Sequence, residues 1–442
     1  MSYTIGLISL GCPKNQVDAE MMLASLENAG FQIVDYVDGA DAVIINTCGF
    51  IDDAKKEAIE NILDMGELKK EGIIKKVIVT GCLAERYHGE ILNEMPEIDA
   101  VIGIGANGDI ADICKRVIEG ESISVFPEKE NLPLDGQRLL TTPEHWAYIK
   151  IAEGCSNRCS YCAIPDIRGN FRSRPMESII EEARQLAITG IKELVVVAQD
   201  TTRYGEDLYG ELKLPELLNQ MCEIDGIEWI RLLYCYPERI TDELLDTIAE
   251  QEKIVHYLDL PIQHADDKIL KAMNRKSTNE SLYEVLEKIR EKVPDMAIRT
   301  TVMTGFPGED EEAFNNLAEF VVNGKFTHLG CFTFSPQENT PAAKMDYQVA
   351  EKLKMHRAEL IMEQQMTIVE RNNSEKIGSV LKVIVEGYDG YTDTYYGRSY
   401  MDAPEIDGSI FFTSDENLND GDFVNVEVLG ISDTYDLLGE MI

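Results

Sequence analysis

Along residues 3–119, short apolar runs alternate with longer amphipathic ones. Residues 5–10 form an apolar run of strand length, and residues 16–29 carry apolar positions at helical spacing that end at Gly30. Residues 31–36 and 42–45 are again short and apolar, and a charged helix follows over 52–70. The pair then repeats, as a strand at 77–80 with a helix from residue 84, and as 101–102 with a helix over 109–119. This alternation predicts an open parallel sheet covered by helices.

Residues 120–140 read as a linker, because Pro127, Pro133 and Gly136 (with Pro143 just beyond) break a stretch that has no sustained period. From 141 to 371 the rhythm resumes. Six strand candidates, 146–151, 193–198, 228–233, 255–260, 297–303 and 326–334, are separated by helices near 175–189, 214–223, 241–250, 278–291 and 309–322. Six such units predict a partial (βα)6 barrel, with its chemistry at the carboxyl ends of the strands. Residues 345–371 predict one long connector helix. Over 374–440 the pattern changes to short alternating runs, 380–385, 391–396, 409–413 and 423–428, separated by Gly, Asp and Asn. These predict a small antiparallel β-barrel. The expected fold is therefore α/β in three parts: an open parallel sheet domain (3–119), a partial barrel (141–371) and a small β-barrel (374–440).

Charge narrows the partners. The formal net charge is −39, and from Glu375 to Ile442 fifteen acidic residues face three basic ones, a net of −12. Such a field repels a phosphate backbone, so direct nucleic-acid binding is not expected. The acidity either serves solubility alone or suits a basic partner. No apolar run approaches the ~20 residues of a membrane span, and no basic segment followed by a long apolar one opens the chain. The expectation is a cytoplasmic protein that meets no membrane.

There are ten cysteines, which in such a compartment are ligands, catalysts or core residues rather than disulfides. Three lie in one loop, Glu153-Gly-Cys-Ser-Asn-Arg-Cys-Ser-Tyr-Cys162, directly after the first strand of the partial barrel. Cys155, Cys159 and Cys162 can hold three corners of a cubane iron–sulfur cluster and leave the fourth iron open to a small molecule. A zinc site wants a fourth ligand that the loop lacks, and a disulfide would strand one thiol. A second group, Cys12, Cys48 and Cys82, lies 36 and 34 residues apart. Each follows a predicted strand, precedes a predicted helix and has a glycine beside it. In an open α/β sheet those strand ends share one edge, so the three thiols either converge on it or are unrelated core residues. Cys114, Cys222, Cys235 and Cys331 fit neither group and read as reduced thiols.

The loop spacing Cys-x3-Cys-x2-Cys, with Tyr161 before the last cysteine, resembles the signature of the radical S-adenosylmethionine (SAM) enzymes. In that superfamily the open iron chelates the methionine part of SAM, and an electron from the cluster cleaves the sulfonium to give a 5′-deoxyadenosyl radical. With Cys12, Cys48 and Cys82 added, nearly the whole chain resembles the methylthiotransferases. Phe171-Arg-Ser-Arg-Pro175, Pro261-Ile-Gln-His264 and Lys271-Ala-Met-Asn-Arg275 also look like that family. The resemblance implies two 4Fe–4S clusters, a TRAM-type C-terminal barrel and two SAM molecules per turnover. It also implies an electron donor such as flavodoxin or ferredoxin.

That family splits between an adenosine of transfer RNA and the β-carbon of an aspartate in S-twelve, a basic ribosomal protein of the small subunit. Leu10-Gly-Cys-Pro-Lys-Asn15 looks like the protein-modifying branch, and the acidic barrel suits a basic substrate. The transfer-RNA branch stays as the alternative, with an acidic assembly factor carrying structural clusters behind it. The resemblance further implies SAM contacts at strand ends. Tyr161 lies near the adenine or is buried for packing, and Gln199 with Asp200 binds the methionine amino group unless Asp200 caps a helix. Gln263, His264, Arg299 and Thr304 are placed at strand ends in the same way, His264 being alternatively structural. Arg168, Arg172 and Arg174 either pair with internal acids or meet the substrate aspartate.

Overall fold

The computed structural model describes residues 3–442. Its first six strands are β1 (Thr4–Ser9), β2 (Gln32–Val34), β3 (Ala42–Thr47), β4 (Val77–Gly81), β5 (Ala100–Ile102) and β6 (Ile123–Val125). They form one sheet in the order β2-β1-β3-β4-β5-β6, parallel throughout. Helices cover both faces, which is why β3 and β4 are apolar without alternation and wholly buried. On one face Ile44, Ile78 and Ile102 pack on Met22 and Leu26 of the helix Pro13–Asn28 and on Ile113 of Ile110–Ile118. On the other, Val43, Ile45 and Val79 pack on Ile62 of Asp52–Lys70 and Leu83 of Cys82–Glu94. The strand order reverses between β1 and β3, which is where such sheets bind ligands.

Two local readings change. The stretch expected to be pure linker supplies β6, a three-residue edge strand too short to show a period. The helix expected from residue 84 begins at Cys82 itself.

The central domain holds β7 (Trp146–Lys150), the two-residue strands β8 (Ala152–Glu153) and β9 (Arg172–Ser173), then β10 (Glu193–Val197), β11 (Trp229–Leu232), β12 (Ile254–Gln263), β13 (Ala297–Thr304) and β14 (His328–Thr333). Six of them form an open sheet in the order β14-β13-β12-β11-β10-β7, again parallel. Its outer face (Leu194, Val196, Ile230, Leu258, Ile298) packs on the helices. Its inner face (Tyr148, Val195, Trp229, Tyr257) is continuous with the core of the third domain. The connector helix runs over Glu351–Ser374 rather than from 345, because Tyr347 takes a left-handed φ of +59° that no helix accommodates.

The third domain is a closed barrel of β15 (Val380–Asp389), β16 (Thr394–Arg398), β17 (Ile410–Thr413), β18 (Phe423–Ile431) and β19 (Leu437–Met441). Four pairings are antiparallel, as expected, and β17–β19 is parallel. The strand β19, in which Gly439 interrupts a short run, had no sequence signal strong enough to read. The barrel's loop 398–409 plugs the amino-terminal end of the central sheet. Arg398 meets Glu193 at 2.7 Å, Tyr257 donates to Asp407 at 2.7 Å, and Arg231 donates to the Tyr400 carbonyl at 2.7 Å.

Candidate functional site

Cys12, Cys48 and Cys82 follow β1, β3 and β4, three strands that lie side by side. Two glycines let their loops touch. A Cβ on Gly11 (φ +98°) would lie 2.7 Å from the Cys48 Cβ, and one on Gly49 would lie 2.7 Å from the Leu83 N and Cα. The Cys12 loop thus rests on Cys48, and the Cys48 loop on the Cys82–Leu83 backbone. Asn15 fixes this arrangement. Its Nδ2 donates to the Leu10 carbonyl at 2.7 Å and reaches the Asn46 and Thr47 carbonyls at 3.3 and 3.4 Å. Asn46 Nδ2 donates back to the Asn15 carbonyl at 2.8 Å. Cys12 caps one helix and Cys82 begins another, where the backbone dipole favours a thiolate. Burial opposes this and pushes the Cys82 thiol up to about 12, against the pull of Arg168, while Cys12 and Cys48 push the same way as burial.

Cys155, Cys159 and Cys162 lie between β8 and the short helix Ile164–Arg168. The Cys155 N–H donates to the Gly169 carbonyl at 3.1 Å, so the loop closes on itself. Ser160 anchors its far side, with its N–H on the Met273 carbonyl (2.9 Å) and its hydroxyl on the Ala272 carbonyl (2.8 Å). Asn274 Nδ2 donates to the Arg158 carbonyl at 2.8 Å. Burial pushes Cys155 up to about 11 and raises Cys162 further.

The two loops meet. Cys82, Ala163 and Ile167 form one small buried cluster, so a thiol of the first group packs beside the residue that follows Cys162. Polar contacts brace the junction. Arg86 donates to the Gly49 carbonyl (3.0 Å) and to Gln337 Oε1 (2.9 Å), and Ser335 donates to Asp52 (2.8 Å). At the centre, Arg168 reaches Cys82 Sγ at 3.4 Å, Asn15 Oδ1 at 2.9 Å, and the carboxylates of Asp18 and Glu153. Lys150 bonds the same two carboxylates. Burial would raise Glu153, but Lys150 and Arg168 hold it down to about 2.

The remaining expected contacts separate into two groups. Gln199 lies at the site. Its Nε2 donates to Glu153 at 2.8 Å, and its Oε1 is buried with no partner. Asp200 is buried beside it, held by Asn157 (2.8 Å), Arg239 (2.9 Å) and Thr202 (2.8 Å); burial raises its carboxyl. It flanks the cysteine loop through Asn157, a residue of that loop to which the sequence assigned no role. Tyr161 packs edge-on to Phe306 at 6.5 Å, within a small apolar cluster. Gln263 ends β12 at a left-handed φ of +70°.

His264 has both ring nitrogens engaged. Nδ1 accepts from the Asp266 N–H, so Nε2 carries the proton and donates to Glu309 at 3.2 Å. That is the structural alternative. Thr304 donates to the Lys354 carbonyl at 3.1 Å. Arg299 is not at a carboxyl end: it is the third residue of β13 and pairs with Asp407 of the C-terminal barrel at 3.2 Å. Arg172 and Arg174 are spent internally, on the Glu130 carbonyl and on Asp135 and Glu182. Cys114, Cys222, Cys235 and Cys331 are free thiols.

The donor set fits iron–sulfur clusters. Each group offers three soft thiols, and beside the Cys155–Cys162 loop the Gln199 amide oxygen is buried without a partner. A cubane spaces its thiolates wider than one ion does, and among the described residues no three side chains close on a single ion.

Comparison with known proteins decides the family. The Radical SAM superfamily matches residues 149–321, uncharacterized protein family UPF0004 matches 4–103, and the TRAM domain matches 377–442. The chain is 49% identical over 439 residues to ribosomal protein uS12 methylthiotransferase RimO of Thermoanaerobacter sp. (strain X514), covering 99% of both. It is 50% identical over 437 residues to the RimO of Caldanaerobacter subterraneus subsp. tengcongensis, again covering 99% of both. The chain belongs to the RimO family. Like its other members it is a radical SAM methylthiotransferase, and its cofactors are 4Fe–4S clusters and SAM. The fold is shared more widely. The radical SAM methyltransferase TsrM of Kitasatospora setae superposes with a TM-score of 0.59 at 14% identity, over 84% of this chain and 90% of that one. The RimO match goes to the protein-modifying branch expected from Leu10–Asn15 rather than to the transfer-RNA alternative.

Proposed function

We propose that this chain adds a methylthio group to the β-carbon of an aspartate in ribosomal protein uS12. Cys155, Cys159 and Cys162 hold the radical-generating 4Fe–4S cluster, and Cys12, Cys48 and Cys82 hold a second one. Residues 3–119, completed by the edge strand β6, carry the sulfur site, the remainder of 120–140 links, 141–371 form the radical SAM core, and 374–440 form the TRAM barrel. The observation that carries this reading is the packing of Cys82 on Ala163 and Ile167, which places the two thiol groups on either side of one buried seam. Clusters held by these thiols would supply the electron and the sulfur site, and two SAM molecules per turnover would supply the radical and the methyl group.

The protein's own residues orient and shield. Gln199 Oε1 accepts from the amino group of SAM, and Glu153 holds that amide in place. Asp200, fixed by Asn157 and Arg239, adds a negative charge on the same side. Tyr161 and Phe306 form an apolar wall that keeps water from the radical. Gln263 ends β12 near the same rim, and His264 and Thr304 support the strand ends through Glu309 and the Lys354 carbonyl, whereas Arg299 braces the C-terminal barrel instead. A basic loop of uS12 is drawn by the acidic surface, to which exposed Asp415, Glu416 and Asp420 contribute. A flavodoxin or ferredoxin delivers the electrons.

The test is mass spectrometry of uS12 from a strain lacking this gene, with and without the gene restored. One aspartate loses a mass equal to one methylthio group less one hydrogen, and restoration returns it. Unchanged uS12 together with undermodified transfer RNA would overturn the substrate assignment.

A further inference from the structure

Arg168 joins the two cysteine groups: its backbone ends the helix after Cys162, and its side chain bonds Cys82. Its backbone belongs to the radical loop: it ends the helix Ile164–Arg168, and the next residue, Gly169, accepts the Cys155 N–H. Its side chain crosses into the first domain. Nε donates to Cys82 Sγ at 3.4 Å, and Nη2 donates to Asn15 Oδ1 at 2.9 Å. Asn15 in turn bonds the carbonyl of Leu10 and reaches those of Asn46 and Thr47, which lead into Cys12 and Cys48. Through Nη1 the same guanidinium holds Asp18 of the first helix and Glu153 of the radical loop. It is 1% exposed and sits over the apolar contact of Cys82 with Ala163 and Ile167.

A planar fork with five donors suits this task. A lysine would keep the charge but reach fewer partners at fixed angles. The surroundings balance the charge: Arg168 and Lys150 face Asp18 and Glu153, all four buried. Removing one of these four groups would leave an uncompensated buried charge, so each holds the others in place.

The geometry points to Arg168 as a positioning residue that fixes the separation of the two cluster loops and tunes the cluster of Cys12, Cys48 and Cys82 through an N–H···S bond to Cys82. A donor to a ligating sulfur, and a positive charge beside it, stabilise the reduced form and raise the reduction potential. The inference rests on Cys82 being a cluster ligand, and the experiment separates the two.

Full-length protein carrying Cys155→Ala, Cys159→Ala and Cys162→Ala is reconstituted anaerobically, so that only the N-terminal cluster remains. About four irons per chain are expected; none would overturn the ligand assignment itself. In this background Arg168→Gln and Arg168→Lys are titrated by electron paramagnetic resonance. The expected result is a lower midpoint potential in both, with a smaller shift for Arg168→Lys, and altered g-values in both because the N–H···S bond is gone. The same substitutions in the two-cluster protein lower the yield of methylthiolated product per 5′-deoxyadenosine at least tenfold. If Arg168→Gln fails to take up iron, Arg168→Lys carries the measurement. Full iron loading with unchanged potential, g-values and product yield overturns the inference.

Discussion

Gly11 leans on Cys48: a Cβ at position 11 would lie 2.7 Å from the Cys48 Cβ and 3.0 Å from its sulfur. The backbone there has a φ of +98°, which glycine alone adopts freely. Gly11→Ala therefore both strains the loop, by ~1–2 kcal/mol, and drives a methyl group into a proposed cluster ligand. Iron content after reconstitution is expected to fall from about eight to about four per chain, and methylthio transfer is expected to be lost while SAM cleavage persists. Eight irons in the variant would remove Cys48 from the ligand set.

Gln199 offers a test of SAM binding that leaves the iron in place. Its Oε1 is buried and unpartnered while its Nε2 is fixed on Glu153. Gln199→Ala is expected to weaken SAM binding about tenfold, as the loss of one hydrogen bond to a charged group would. Equilibrium binding to reconstituted protein checks this, with iron content as the control. Unaltered affinity would show that the methionine amino group lies elsewhere.

The C-terminal barrel is locked to the core by Glu193, which lies between Arg398 and Arg231 at 2.7 Å from each. All three are buried, and the two arginines together hold the Glu193 carboxyl down to about 2 against burial. Arg398→Met leaves Glu193 half-paired and Glu386 without its 2.6 Å partner. The expected cost is ~3–5 kcal/mol, read as a separate, earlier transition in urea and as faster tryptic cleavage at Arg371 and Lys376. A single unshifted transition would mean that the lock is not limiting.

His328 gives that interface a pH dependence. Burial would lower its basicity, but Asp407 and Asp402, at 3.6 and 3.4 Å, and the Met401 carbonyl outweigh it and raise it. A histidine raised in the folded state contributes its full stability below its ordinary value of about 6.5 and loses it as pH rises through the raised value. The barrel is thus expected to loosen on going alkaline from neutral pH. His328→Gln should flatten stability against pH in that window, measured by urea unfolding at several pH values. Arg299, which also bonds Asp407, does not titrate there and leaves the slope to His328.

The chemistry was legible where it is local. Cys155, Cys159 and Cys162 announce themselves by spacing, and Cys12, Cys48 and Cys82 by recurring at predicted strand ends. Lys150, set in the apolar run Trp-Ala-Tyr-Ile-Lys-Ile, carries a signal of its own: a charge in a buried strand must have a partner, and here it has Asp18 and Glu153. Asp18 and Arg239 gave no signal, since nothing in their neighbourhood of the chain distinguishes them from surface polar residues, and Asn15 lay within the Leu10–Asn15 motif without its bracing role showing. Arg299 does not lie where it was expected although its strand does: the expected strand 297–303 and the observed Ala297–Thr304 both make it the third residue, near the amino end and away from the cysteine loops.

The sequence by itself determined which thiols exist, how the radical loop is spaced and which family the chain resembles, because spacing within a loop is a covalent property. Tertiary structure alone decided that Cys82 meets Ala163 and that Arg168 spans both groups. Loops 36 and 34 residues apart converge only if β1, β3 and β4 lie side by side, and that order is set by which apolar faces the helices bury. Likewise the acidity of the C-terminal barrel was countable from the chain, but not which carboxylates remain free. Asp407 and Glu386 are spent on arginines from across the interface or within the barrel, and only the folded structure shows which others still face solvent.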